Sequence, residues 1–313
     1  MMTMKQIIKK IDPSQLGTID ETNSFYTNQN FVTPLSDNAA SKYLKFRYIV
    51  ENDFDGFFYV DNLLDWLQQN CKFDDNDIAF LNAKFKNLFK NHNINSIQEI
   101  TSIVKFIGNI RRNLDGKIFG FVLRPIFVGR EDDLNSYNYY KTFFKFFYNN
   151  NTNHFELWHD YLRDFDTNEI IVSALTDRDE ILNLKEFSWY TTRKKSIDLN
   201  APIFITESIY DSLFLNNSLC LHGVVPFRVI PEKLKDKDLI FILDNRSNKN
   251  NTEILKMNYS VFKWPKEIWE KDFGDHARTL FRKSKKSIQE FSHEMQIYFN
   301  NMVNTKDNIV TSK

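Results

Sequence analysis

Two short runs, "PIFIT" at residues 202–206 and "LIFIL" at 239–243, carry almost no polar position, and each stops at an acid, Glu207 and Asp244. A strand apolar on both faces belongs inside a covered sheet, the usual setting of parallel strands. The intervening sequence supports that pairing. The expected order is strand 202–206, helix near 208–216, strand 218–221, strand 238–244, helix 251–257 and strand 260–265. Residues 270–281, "EKDFGDHARTLF", then open a helix that "SKKSIQEFSHEMQIYFNNMV" continues or repeats. Alternating strands and helices predict an α/β fold with a parallel sheet and flanking helices. In such a sheet the carboxyl ends of the strands share one rim, where ligands bind. Glu207, Asp244 and the Asp272/Asp275 pair all fall at that rim. Carboxylates gathered there repel one another unless a hard divalent cation lies between them. Mg²⁺ takes oxygen ligands, commonly one or two carboxylates plus a phosphate. The plainer alternative is that each acid only caps the helix that follows it.

The chain ahead of this region has a different character. Residues 1–35 are polar, and Ser36 or Asp37 is the expected cap of a helix over "AASKYLKFR". "DGFFYV" (55–60) is a short strand or turn, and 60–70 and 76–93 are amphipathic helices. From 99 the residues turn β-branched and apolar. "RRNLDGK" (111–117) carries Asp-Gly between two strands, 99–110 and 118–129, which predicts a hairpin with basic ends. "YNYYKTFFKFFYNN" (137–150) fits strand or buried helix equally by periodicity. The expected division is a mostly helical region 1–98, a mixed α+β subdomain 99–200, a parallel-sheet domain 201–281 and a helical tail 282–313.

Lys plus Arg and Asp plus Glu both number 41, so any contact with nucleic acid needs a local patch rather than a global field. "RKKS" (193–196) and "RKSKKS" (282–287) are such patches, or solvated faces. The two cysteines, Cys71 and Cys220, form no CxxC, so no zinc ribbon is expected, and two free thiols are the default. No 18-residue apolar stretch occurs, and "MMTMKQIIKKIDPS" has no apolar signal core, so neither a membrane span nor a secretory signal is predicted. Aromatics are 15% of the chain, 30 of them Phe. At that density they mark a core more often than a base-stacking surface, and Trp264 and Trp269 are expected to pack. His222, before Gly223, reads as a loop histidine more readily than as a phosphate contact.

In order, "FITESIYDSLFLNNSLCLHG", "LIFILDNR" and "VFKWPKEIWEKDFGDHARTL" resemble the Toprim domain of DNA primases, and most of all the single-chain primases of T4-like tailed phages. "LDGKIFGFVLRPI" resembles the G-K-x-x-x-F-x-G-R stretch of the primase core, "SKYLKFRYIVENDFDGFFYVDNLLDWL" the helical segment before it, and "FSWYTTRKKSIDLNAP" the connection into Toprim. The likeness spans about residues 36–285. It implies a Toprim-type parallel sheet preceded by a mixed α+β primase-core subdomain. The activity implied is RNA-primer synthesis on single-stranded DNA from ribonucleoside triphosphates, with Mg²⁺ or Mn²⁺ and no zinc. Carried over by position, Glu207, Asp211, Asp244 and Lys271 are catalytic. Glu207, Asp244, Asp272 and Asp275 are metal ligands, and Arg124 and Lys117 meet nucleotide or template phosphate. A replicative helicase and a separate zinc-ribbon subunit are the implied protein partners, in the cytoplasm of a phage-infected cell, with no membrane.

Three departures bear on that likeness. Arg246 stands at the second acid of a D-x-D-type motif, Ser208-Ile209 replace the Gly-Pro after the first acid with His222 for a Gly further on, and an N-terminal zinc ribbon is missing. They keep open an alternative, a catalytically degenerate Toprim protein that binds DNA or serves as a structural or interaction protein. A Toprim nuclease is a third option.

Overall fold

The computed structural model describes residues 13–49, 53–71, 73–75, 79, 104–127, 143–163, 170–172, 189–194, 196–221, 230–245 and 247–311. The expected helix at 76–93, the residues 99–103, His222 and Arg246 lie outside them or nearly so. The protein is mixed α/β; the described residues form two six-stranded sheets, and the chain divides into two units. The first comprises residues 1–43, 56–111 and 117–180; the second comprises 44–55, 112–116 and 181–313. The boundaries expected at 98 and 200 therefore do not fall at the edges of the units, and 282–313 groups with the parallel sheet.

The first unit is built on a sheet of strand order β1-β2-β3-β4-β5-β6: Phe57–Val60, Val104–Arg112, Ile118–Phe127, Phe143–Asn149, His154–Arg163 and Ile170–Val172. Pairing is antiparallel for β1–β2, β3–β4, β4–β5 and β5–β6. The expected hairpin is present. Asn113 Oδ1 accepts the Asp115 amide at 3.1 Å, and Gly116 closes the turn at φ +76°, where a side chain would be strained. Cross-strand pairing resolves the ambiguous aromatic run: Phe143–Asn149 is strand. Its core stacks rings from several elements, with Phe121 against Phe146 at 4.6 Å and Phe25 against Phe155 at 4.2 Å. Among the described residues, three helices belong to the first half of the chain: α1 (Ser24–Thr27), α2 (Ala39–Phe46) and α3 (Leu63–Cys71). Asn38, rather than Ser36 or Asp37, caps α2, its side chain accepting the Ser41 amide at 2.9 Å.

The second unit holds the sheet β12-β11-β10-β8-β9-β7. Its members are β7 (Trp189–Tyr190), β8 (Ile203–Thr206), β9 (Ser218–Leu221), β10 (Leu239–Ile242), β11 (Ser260–Phe262) and β12 (Ile309–Val310). The four central strands run parallel, and β7 and β12 join antiparallel at the two edges. Every residue of β8, β9 and β10 is buried, as strands apolar on both faces must be. The unit's described helices are α4 (Ile209–Ser212), α5 (Asn248–Lys256), α6 (Phe273–Phe281) and α7 (Ile288–Asn304). α4 is shorter than the expected 208–216. The carbonyls that would extend it are taken by side chains: Ser218 Oγ bonds Ser212 O at 2.6 Å, Arg193 bonds Leu213 O and Leu215 O, and Asn300 bonds Phe214 O at 2.8 Å. α6 and α7 are separate helices, the second started by a capping box between Ser287 and Glu290.

Candidate active site

Strand order locates the site. From β8 the chain crosses to β9 on one side, then returns to β10 on the other. The carboxyl ends of β8 and β10 therefore flank a topological switch point, where a crevice opens in parallel sheets. Glu207 follows β8 and Asp244 lies just beyond β10. Glu207 Oε1 accepts the Asp244 amide and the Ser247 hydroxyl, each at 3.3 Å. Burial, followed by the charge of Asp244, holds the Glu207 carboxyl above the ordinary glutamate range. Lys271 reaches the same point, its Nζ 2.8 Å from Asp244 Oδ2. The hydrogen bond to Asp244 raises the lysine, which stays charged.

A second acidic pair sits beside the first. Asp211, in α4, is buried and accepts the Gly274 amide at 3.3 Å. Burial first, and the Asp272 charge second, push its carboxyl well above the usual range, while Arg47 pulls the other way. Asp272 is the N-cap of α6, its Oδ1 accepting the Asp275 amide at 2.7 Å. Asp275 turns to Arg278, at 3.2 Å. A Cβ on Gly274 would stand 3.3 Å from Arg47 Nη2 and 3.4 Å from Asp272 Oδ1, a close approach that a shift of a few tenths of an ångström in the guanidinium would relieve. Arg47 lies over the Tyr210 ring, 5.0 Å from its centroid.

The loop bearing Lys271 is fastened by Asn245. Its amide bonds Lys271 O at 2.8 Å, and its side-chain Nδ2 bonds Ile268 O at 2.8 Å and Glu270 O at 3.0 Å. Glu270 accepts from or pairs with His276 Nδ1 at 3.1 Å, and His276 Nε2 faces Tyr298 Oη at 3.3 Å.

The structure thus brings Glu207, Asp244 and Lys271 together, and Asp211 with Asp272, while Asp275 is engaged with Arg278. Arg124 (on β3) and Lys117 lie in the first unit, Lys117 4.0 Å from Asp20 at a polar depression of about 320 Å³. Among the described residues, no three His, Cys, Asp or Glu side chains form a metal-holding group. Cys71 and Cys220 are buried and not joined in a disulfide. Among the described residues, no helix is long and apolar enough to cross a membrane.

Several expectations change. Arg193 does not belong to a free basic patch: it pairs with Asp53 at 2.8 Å and bonds backbone carbonyls. Lys286 pairs with Glu294, whereas Lys283 and Lys285 are exposed. Arg111 is buried, 5.6 Å from the ring centroids of Phe119 and Phe147. Trp264 packs as expected, its indole bonding Leu243 O at 2.9 Å, but Trp269 is 80% exposed. Arg47 and Asn245 were not singled out from the sequence. Asn245 sits in the quoted "LIFILDNR", but Arg47 lies 160 residues before Glu207 and no local pattern marks it. No family model matches the chain, and no curated protein matches it either.

Proposed function

We propose that the second unit is a Toprim-type catalytic domain and that the protein is a DNA primase, joining ribonucleotides on a single-stranded DNA template. The support is the placement of Glu207 and Asp244 on either side of the switch point, with Lys271 bonded to Asp244. Nucleotidyl transfer needs a positive environment for the triphosphate and a group that handles the proton of the attacking hydroxyl. Lys271 supplies charge to the phosphates. Glu207, its Oε1 fixed by two donors, either handles that proton or serves as a ligand of the cation considered below, a bound carboxylate being a poor base. Asn245 holds the Lys271 loop in place.

The residues also fit a hard divalent cation. Glu207 and Asp244 offer oxygen donors, and a dication between them would offset both the burial and, after it, the Asp244 charge that raise Glu207. Mg²⁺ or Mn²⁺ held by Glu207 and Asp244, with Asp272 nearby, would neutralise charge on the triphosphate. Asp211 and Arg47 stabilise the turn that presents Asp272. Arg124 and Lys117 would meet template or nucleotide phosphate.

One observation favours the alternative, a degenerate Toprim protein that binds DNA without chemistry. Lys271 already compensates Asp244.

Primer synthesis from labelled ribonucleotides on single-stranded DNA, with Mg²⁺ or Mn²⁺ and with a helicase added, tests the proposal. A primase makes short RNA. Glu207→Gln lowers synthesis by at least ~10²-fold and leaves DNA binding intact. No product from wild type under any of these conditions, together with a silent Glu207→Gln, leaves the binding protein as the surviving assignment.

A further inference from the structure

We propose that Trp269 is a stacking platform for a nucleobase whose phosphate is drawn to Lys271. This rests on the nucleotide assignment of the acidic rim above. Trp189 and Trp264 are buried, whereas Trp269 is 80% exposed, on the loop that carries Lys271. Among the described residues its ring lies against no other ring and makes no hydrogen bond.

The loop around this indole is fixed. Asn245 bonds the carbonyls of Ile268, Glu270 and, through its amide to the last, Lys271. Ile268 is buried on one side of Trp269, and Glu270 is anchored to His276 on the other. An indole held out on a fastened backbone loses little freedom when a flat partner covers it, which favours binding by stacking.

The neighbouring charge identifies the partner's chemistry. Two residues on, the Lys271 ammonium is bonded to Asp244 yet is 63% exposed. An ammonium has three donors, and Asp244 takes one, so a phosphate oxygen has access to the others. A flat π-face two residues along the same fastened loop from a solvent-facing cation suits a nucleobase with its phosphate. The base comes either from a single strand of DNA or from a ribonucleoside triphosphate, and the two sources share this chemistry.

The test uses the full chain. Binding of fluorescein-labelled oligothymidylate is followed by anisotropy, and binding of ATP by calorimetry, for wild type, Trp269→Ala and Trp269→Phe. Trp269→Ala is expected to weaken at least one probe about tenfold, the typical effect of removing one stacked base. Trp269→Phe should stay within about threefold, because a phenyl ring still stacks. Quenching of tryptophan emission by the same probe should be smaller in both variants than in wild type. Loss with oligothymidylate alone assigns the base to the strand, and loss with ATP alone assigns it to the nucleotide. Equal affinities for wild type and Trp269→Ala, or no binding of either probe by wild type, overturn the inference. Thermal melting checks the fold, and an exposed side chain should leave it unchanged. Primer synthesis on the same preparations separates the two claims. Weakened binding without synthesis by wild type retains the platform and removes the primase. Synthesis by wild type with an unaffected Trp269→Ala does the reverse.

Discussion

Arg193→Met puts the packing around the site to a quantitative test. Arg193 and Asp53 are both largely shielded, their side chains 15% and 10% exposed, and Nε meets Asp53 Oδ1 at 2.8 Å. Removing one partner of such a pair leaves a buried charge uncompensated, which costs about 3–5 kcal/mol. One detail eases that cost and another adds to it. Gln296 Nε2 still donates to Asp53 Oδ2 at 3.0 Å and to Leu213 O at 3.4 Å. Leu215 O loses its Arg193 donor, because the single Ser218 hydroxyl proton goes to Ser212 O at 2.6 Å. The expected cost is about 3–5 kcal/mol. Burial already holds the Asp53 carboxyl above its ordinary value of 3.8, with Arg193 opposing. Loss of the arginine raises it further. A carboxyl raised in the folded state favours folding below its unfolded value and loses that contribution as pH rises through the folded value. The destabilisation by Arg193→Met should therefore shrink as pH falls from 7 toward 3.8. Asp53→Asn in the same chain should recover about 2 kcal/mol, since no charge is then stranded. Urea unfolding followed by circular dichroism and fluorescence measures all three. A cost under about 1 kcal/mol at neutral pH, or one that does not fall on acidification, refutes the buried-pair account.

Asp211→Asn keeps an acceptor for the Gly274 amide and removes a buried charge facing Asp272, so it should stabilise the fold by about 1 kcal/mol at pH 7. Because the folded carboxyl is raised, that gain should vanish below pH 3.8, where wild type is protonated in both states; melting at the two pH values decides this. Gly274→Ala places a methyl 3.3 Å from Arg47 Nη2, a contact the guanidinium relieves by a few tenths of an ångström while alanine favours the helix, so stability by chemical denaturation should change by less than about 1 kcal/mol. Lys271→Ala removes the partner of Asp244, and should lower affinity for ATP more than stability, read by calorimetry and melting side by side.

The central strands were legible because their position in the sheet leaves no polar choice. Residues 203–206 and 239–242 are buried on both faces, and the sequence writes them as apolar runs. The acids at their ends were legible for the same reason, since the first polar residue after such a run sits at the rim. Asp272 was visible as an acid ahead of a helix, though its role as the cap of α6 emerges only from the Asp275 amide. Other features depend on partners far away in the chain. Phe143–Asn149 is strand because β3 and β5 pair with it, not because of its periodicity. α4 ends early because Arg193, Ser218 and Asn300 capture its carbonyls. Arg47 acts on Asp211 from far earlier in the chain. Trp269 resembles a packing residue in sequence, and only the loop fastened by Asn245 turns it outward.

The antiparallel strand β12 has a consequence for synthesis of the chain. It pairs with β11 through Val261–Val310 and Phe262–Ile309, and the Lys263 amide bonds Asn308 O at 2.7 Å. As the polypeptide leaves the ribosome, β8 to β11 emerge first, and β11 presents a bare ladder of donors and acceptors until residue 310 has been added. An uncovered ladder next to apolar strands is a template for pairing with another nascent chain. The last few residues of this sheet thus act as its seal. Any truncation that removes them, however small the loss of buried surface, should be read first for aggregation and only then for stability.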